Sequence, residues 1–281
     1  MQLEEIFTNA TAPEADRSPM PPAMLVFAHP DDESIAVGGR LRRFREAHLV
    51  HVTDGAPRNE QDSRAHGFPS WREYRDARTE ELTHALRAGG APEMSRECFG
   101  FADQEASLHL VEIAELLVDR FRQYRPAVVF THPYEGGHPD HDACAFAVHQ
   151  AAKKMVDDEA GSAPLIIEAA FYNGGSSSLV SGDFLPSAQR TEQVAFALMR
   201  EELEHKRQIL SCFTTQQETL RGLAVDWERF RVAPEYDFTR PPDAPRVLYE
   251  SFPWGMTSSR FCELARQAED VLHKDMAVAC H

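Results

Sequence analysis

The sequence predicts an α/β fold, a Rossmann-like, doubly wound and mostly parallel sheet with helices on both faces and a C-terminal elaboration. Three observations lead there. Short apolar runs of strand length alternate with longer polar segments. Within those segments the apolar residues recur at helical spacing. The two stretches richest in histidine and aspartate each follow a predicted strand, where open α/β sheets bind ligands.

Taken in order, residues 1–22 end in Pro19, Pro21 and Pro22 and are expected to form a loose arm. MLVFAHP (24–30) is the first strand, broken by Pro30. Ser34 to Ala47 reads as a helix with Leu41 and Phe44 inward and Arg40, Arg42 and Arg43 on a solvated face. LVHVTD (49–54) is the second strand, and a helix runs from Trp71 to Ala88, stopped by Gly89-Gly90. CFGF (98–101) is a third strand. Leu110, Ile113, Leu117, Phe121 and Tyr124 then form a core-facing helical stripe. AVVFTHP (127–133) is the fourth strand, Asp142 to Val156 a helix and LIIEAAFY (165–172) the fifth strand. Further on, a helix near 200–212, a loop over 232–246, a strand at 247–252 and a closing helix over 258–274 are expected. Residues 23–281 read as one domain, elaborated from about position 174.

Composition narrows the function. With 29 basic and 45 acidic side chains, the chain carries a formal charge of −16. A nucleic-acid partner would require a basic face, so none is expected. Five scattered cysteines without a Cys-x-x-Cys pair fit neither a disulfide framework nor a cysteine zinc site. The acidic start of the chain is no signal peptide, and no apolar run is long enough to span a membrane. A cytoplasmic location is therefore expected.

AHPDDE (28–33) crowds one histidine and three acids into a loop after the first strand. Alone it has two readings. A divalent cation would relieve the repulsion, and His nitrogen with Asp oxygen suits zinc. A solvated acidic turn capping a helix would look the same. THPYEGGHPDHDA (131–143) follows the fourth strand, and a doubly wound sheet can set that strand beside the first. His138, Asp140 and His141 then reach the same place, and Gly136-Gly137 allow close backbone approach.

AHPDDE followed by HPDH resembles the LmbE-like (PIG-L) zinc-dependent N-deacetylases, which remove acetyl groups from amino sugars linked to inositol, malate, a second sugar or a glycopeptide. RTEELTHALRAGG (78–90) is similar to the family's Arg-x-x-Glu helix, and FADQ (101–104) to the segment carrying an acid that meets substrate. EHKRQILSCFTTQ (204–216) is similar to its late basic helix. The resemblance implies one zinc per chain on His29, Asp32 and His141, with a position left open for water. It implies Asp31 as general base, and zinc with a protonated His138 as oxyanion stabiliser. Asp140 would orient His138 and raise its pKa. Glu33 would support the loop or cap the helix. Arg78 would anchor a substrate hydroxyl or phosphate and Asp103 would grip sugar hydroxyls. Gly136 stands where one subgroup has an assisting tyrosine, and Tyr134 is the candidate replacement.

The expected substrate is thus a small N-acetylated amino sugar. An amidase of another acyl group or of a non-sugar amide would use the same machinery. A non-catalytic sugar- or metal-binding protein would need no base beside an open metal position. A dinucleotide-binding Rossmann protein is excluded, because the glycines of AVGGRL fall inside the first helix rather than in a Gly-x-Gly-x-x-Gly turn. Oligomeric state is not legible in the sequence.

Overall fold

The computed structural model describes residues 3–7, 20–157, 162–175, 179–187 and 189–279. In chain order the elements are α1 (Leu3–Phe7), β1 (Ala23–Phe27), α2 (Asp32–Val37), β2 (His48–Thr53), α3 (Gln61–Ala65), α4 (Trp71–Ala88), β3 (Ser95–Phe101), α5 (Leu110–Tyr124), β4 (Val128–Thr131) and α6 (Pro139–Asp157). Then come β5 (Leu165–Ala169), β6 (Tyr172–Gly174), β7 (Leu179–Ser181), β8 (Gln193–Ala197), α7 (Arg200–Leu210), α8 (Gln217–Leu220), β9 (Trp227–Val232) and α9 (Ser258–Ala279).

The main sheet has the order β3-β2-β1-β4-β5-β9-β8. Its first five strands are parallel, and β9 and β8 extend it antiparallel. Alternation along β1 explains why both faces are covered. Met24 and Val26 enter one core with α5, α6 and α9, whereas Leu25 and Phe27 enter the other with α2, α4 and α7. β1 pairs with β2 on one side and β4 on the other, so the winding direction reverses between β1 and β4. The crevice outside the carboxyl ends of those two strands is where such sheets bind ligands.

Several expectations are corrected. Part of the expected arm is docked: Leu3, Ile6 and Phe7 share one face of α1 and are buried, with Phe7 stacked on Phe230 at 4.6 Å. The remaining arm, residues 8–19, lies outside the described residues. The helix expected over 34–47 splits into α2 and a 3-10 segment, Gly38–Phe44. A β-carbon on Gly39 would meet the Leu198 side chain at 2.7 Å, so a larger residue in this turn would require Leu198 to move. Arg40 is not solvated; it is buried, with its guanidinium 2.7 Å from Glu228. Tyr124 leaves the core stripe and stacks on His48. The fifth strand stops at Ala169 and resumes as the β6–β7 hairpin. VLYESF forms a 3-10 turn, Leu248–Ser251, instead of a strand, with the Leu248 N–H bonded to the Gly136 carbonyl. The sequence reading also missed β8 and β9.

Candidate metal centre and active site

Both histidine-aspartate loops arrive at the β1/β4 switch point. Pro30 ends the first strand, and Asp31 turns the chain into α2 with φ 152°, a value that L residues rarely adopt. The Asp31 carbonyl accepts the N–H groups of Ser34 and Ile35, which starts α2. The His29 N–H donates to Asp32 Oδ2 at 2.8 Å and fixes that carboxylate under the loop. Beneath it, buried Glu33 is bonded to His51 Nε2 at 3.0 Å and to Ser34.

In the second loop, Gly136 takes φ +67°, and a β-carbon on Gly137 would lie 2.1 Å from the Tyr172 carbonyl oxygen. Pro139 opens α6, where its missing N–H costs nothing. Asp140 and His141 therefore sit on the first helical turn rather than in an open loop.

The expected ligands are close together. His29 Nδ1 lies 3.4 Å from Asp32 Oδ2, and His141 Nε2 lies 3.5 Å from Asp32 Oδ1. The two contacts run to different oxygens of Asp32, so this carboxylate stands between the two rings. His141 Nε2 is buried without a hydrogen-bond partner, as a nitrogen aimed at a cation would be. Among the described residues three overlapping groups could hold an ion, and none unites all of the expected His29, Asp32 and His141: His29, His138 and His141; Asp32, His132 and His141; and His29, Asp103, His138 and Asp140. Burial alone would raise the Asp32 pKa, but His141 and His132 outweigh it and hold this carboxyl well below the usual range.

His132 belongs to this cluster. Its ring stacks on His141 at 3.8 Å, and its Nε2 accepts the Ala28 N–H at 3.0 Å. Burial pushes its pKa down to about 3, against the pull of Asp32.

Asp31 is buried beside the cluster, and burial pushes its pKa up to about 8 against the pull of Arg78. Arg78 donates to Asp31 Oδ2 at 3.0 Å, to the Gly55 carbonyl at 2.6 Å and to the Pro30 carbonyl at 3.1 Å. Most of its donors are therefore used inside the protein.

Asp140 and His138 differ from the expected pair. The Asp140 carboxylate accepts the N–H groups of Gln104 (2.6 Å) and Ala106 (3.0 Å) and faces His29 Nε2 at 3.2 Å. It is the Asp140 backbone N–H that touches His138, donating to Nδ1 at 3.2 Å. Burial and the neighbouring imidazoles of His29 and His141 hold the His138 pKa well below its ordinary value. His138 Nδ1 thus accepts a backbone N–H and leaves Nε2 to face the cavity, with the Asp140 carboxylate turned to His29 and 3.9 Å from Nδ1.

Asp103 lies 3.2 Å from His29 Nε2 and lines the cavity above the cluster. Tyr134 does not reach it. Its hydroxyl donates to the Arg240 carbonyl at 2.9 Å, and its ring packs against Phe238. Tyr172 lines the cavity instead, with Asp62, His66, Tyr74, Gln216 and Trp254. The sequence reading assigned none of these six. Two carried a signal: Tyr74 lies one turn before Arg78 on α4, and Gln216 ends the TTQ segment. The structure links those motifs directly, since Glu81 accepts the Thr215 N–H and hydroxyl while Gln216 reaches the Tyr74 hydroxyl.

Residues 24–152 match the family described as PIG-L, GlcNAc-PI de-N-acetylase. This segment is a PIG-L domain. A probable N-acetyl-alpha-D-glucosaminyl L-malate deacetylase 2 of Bacillus cereus is 30% identical over 141 residues, 48% of this chain and 63% of that protein. The chain thus spans under two thirds of this curated relative. A 1D-myo-inositol 2-acetamido-2-deoxy-alpha-D-glucopyranoside deacetylase of Saccharomonospora viridis is 29% identical over 203 residues, 64% of this chain and 72% of that protein. Among solved structures, the A40926 pseudoaglycone deacetylase Dbv21 superposes with TM-score 0.57 at 19% identity, covering 76% of this chain and 99% of that one. The teicoplanin deacetylase Orf2, in a zinc-inhibited form, gives TM-score 0.55 at 16% identity, covering 74% and 97%. At these identities the structural likeness shows the fold alone, over about three quarters of this chain. No helix among the described residues is long and apolar enough to cross a membrane.

Proposed function

We propose that this PIG-L protein is a zinc-dependent hydrolase that removes the N-acetyl group from a small amino-sugar conjugate. The observation that carries the reading is a buried carboxylate, Asp31, held by Arg78 at the edge of a His/Asp metal site in one cavity. The names of the relatives supply the amide and the sugar.

His29, Asp32 and His141 would hold the zinc. The donor set suits that metal, and the unpartnered His141 Nε2 fits a ligand's role. When bound, zinc supplies a Lewis acid for the acetamide carbonyl and lowers the pKa of water toward ~7. Asp31, with Oδ2 fixed by Arg78, takes the proton of the attacking water on its other oxygen. His138 donates Nε2–H to the oxygen on which charge develops. The C–N bond then breaks, the proton on Asp31 passes to the departing amine, and acetate and the free amino sugar leave. Asp140 and Asp103 keep His29 oriented through its Nε2. Four described cysteines are free thiols, which supports a reducing, cytoplasmic setting.

A panel of N-acetylated amino sugars, scored for primary amine with the zinc-loaded protein, tests the proposal. Amine release from at least one glycoside is expected. Hydrolysis of a non-sugar amide with none of the sugars would replace the substrate class.

A further inference from the structure

The cavity above the metal cluster has a charge pattern and an aromatic wall that the proposed reaction does not require. Arg78 is the one lysine or arginine among the described residues lining it. That cation is paired with Asp31 and, at 3.9 Å, with Asp103, and it donates to two backbone carbonyls, which leaves its buried Nε without a partner. The carboxylates of Asp32, Asp62 and Asp103 lie on the same wall. A carboxylate or phosphate on the substrate would meet these acids without a free cation to pair with it.

The other lining groups suit a neutral, hydroxylated molecule. Gln104, Gln216 and Thr219 offer uncharged donors and acceptors, and the Asp62 carboxylate accepts from hydroxyls. Trp254 stands over this wall, its ring 4.5 Å from that of His138. Phe252 stacks on the indole at 4.4 Å and 15°, restraining its rotation, and is itself 42% exposed. The aromatic pair therefore runs from His138 outward to solvent. A saturated ring lays its C–H face on such a surface while its hydroxyls turn to the polar wall.

Resting on the deacetylase reading, we propose that the cavity selects amino-sugar conjugates whose attached group is an uncharged, hydroxylated ring, that Trp254 binds that ring, and that anionic conjugates are rejected. Trp254 comes from the C-terminal elaboration, outside the 24–152 family match. The ring-binding surface is thus carried by the part of the chain that the domain match does not cover, while the acids that repel anions lie within the match.

The test uses the zinc-loaded full chain and two N-acetylglucosaminides of one linkage, one with a neutral cyclitol or sugar ring and one with a carboxylated group of similar size. The neutral glycoside should be favoured in kcat/KM by about tenfold or more. Trp254→Ala should raise KM for the neutral glycoside by about tenfold, and several-fold more than for N-acetylglucosamine itself, with Trp254→Phe restoring most of the loss. Asp62→Asn should narrow the gap between neutral and anionic glycosides. Equal or better use of the anionic glycoside, or an equal loss on all substrates in Trp254→Ala, would overturn the proposal. Binding of the same two glycosides to the metal-free chain, read by tryptophan fluorescence, measures the preference without turnover. Failure of every sugar to release amine would then count against the reaction, while the binding ratio still decides the selectivity.

Discussion

Asp31→Asn is expected to lower kcat for amide hydrolysis by about 10²–10⁴-fold, the range that a positioned general base contributes. The zinc content should stay at that of the parent protein, because His29, Asp32 and His141 are untouched. Asparagine keeps an oxygen for Arg78, whose bond to Asp31 Oδ2 is 3.0 Å, and tolerates the unusual backbone at this position better than most residues. What it loses is the proton-accepting carboxylate. Metal analysis and single-turnover amine release on the same preparation check both halves. Turnover within a few-fold of the parent would remove Asp31 as the base; loss of metal along with activity would assign it to the metal site instead.

The second large effect is on stability and lies behind the site. Glu228 on β9 accepts the Gly39 N–H at 2.8 Å and faces Lys206 at 3.1 Å and Arg40 at 2.7 Å. All three side chains are buried, and Lys206 also donates to the Ile35 carbonyl. Burial pushes the Lys206 pKa down, and the Glu228 charge opposes that shift. Glu228→Ala leaves Lys206 in the interior without its ion-pair partner and Arg40 with only Glu202 at 3.7 Å, which costs about 3–5 kcal/mol. The urea midpoint should fall accordingly with an unchanged slope. Because Gly39 and Ile35 belong to the segment that follows the AHPDDE loop, zinc affinity should fall as well. A loss below about 1 kcal/mol would mean that water satisfies these cations.

Much of the site was legible because its chemistry is written locally. AHPDDE and HPDH each occupy a few consecutive residues after apolar strands, and the pairing of β1 with β4 brings them together. The end of α4 at Gly89-Gly90 was readable for the same reason, since the stop signal adjoins the helix. What escaped depends on partners distant in sequence. Arg40 is buried only because Glu228 meets it from 188 residues away. WERFRV (β9) mixes charges with aromatics, and its Glu228 and Arg231 are both buried in ion pairs that no local pattern announces. The direction of the Asp140 carboxylate was not legible because it is set by the Gln104 and Ala106 N–H groups of another loop. Trp254 enters the cavity from a segment with no periodicity to mark it.

Zinc titration of the metal-free chain, with amine release from an N-acetylglucosaminide measured at each addition, tests the central claim most directly. Activity should be absent without metal, rise in proportion to zinc and level off at about one equivalent per chain. Full activity in the metal-free protein, or a chain that binds one zinc and releases amine from no amide, would contradict it.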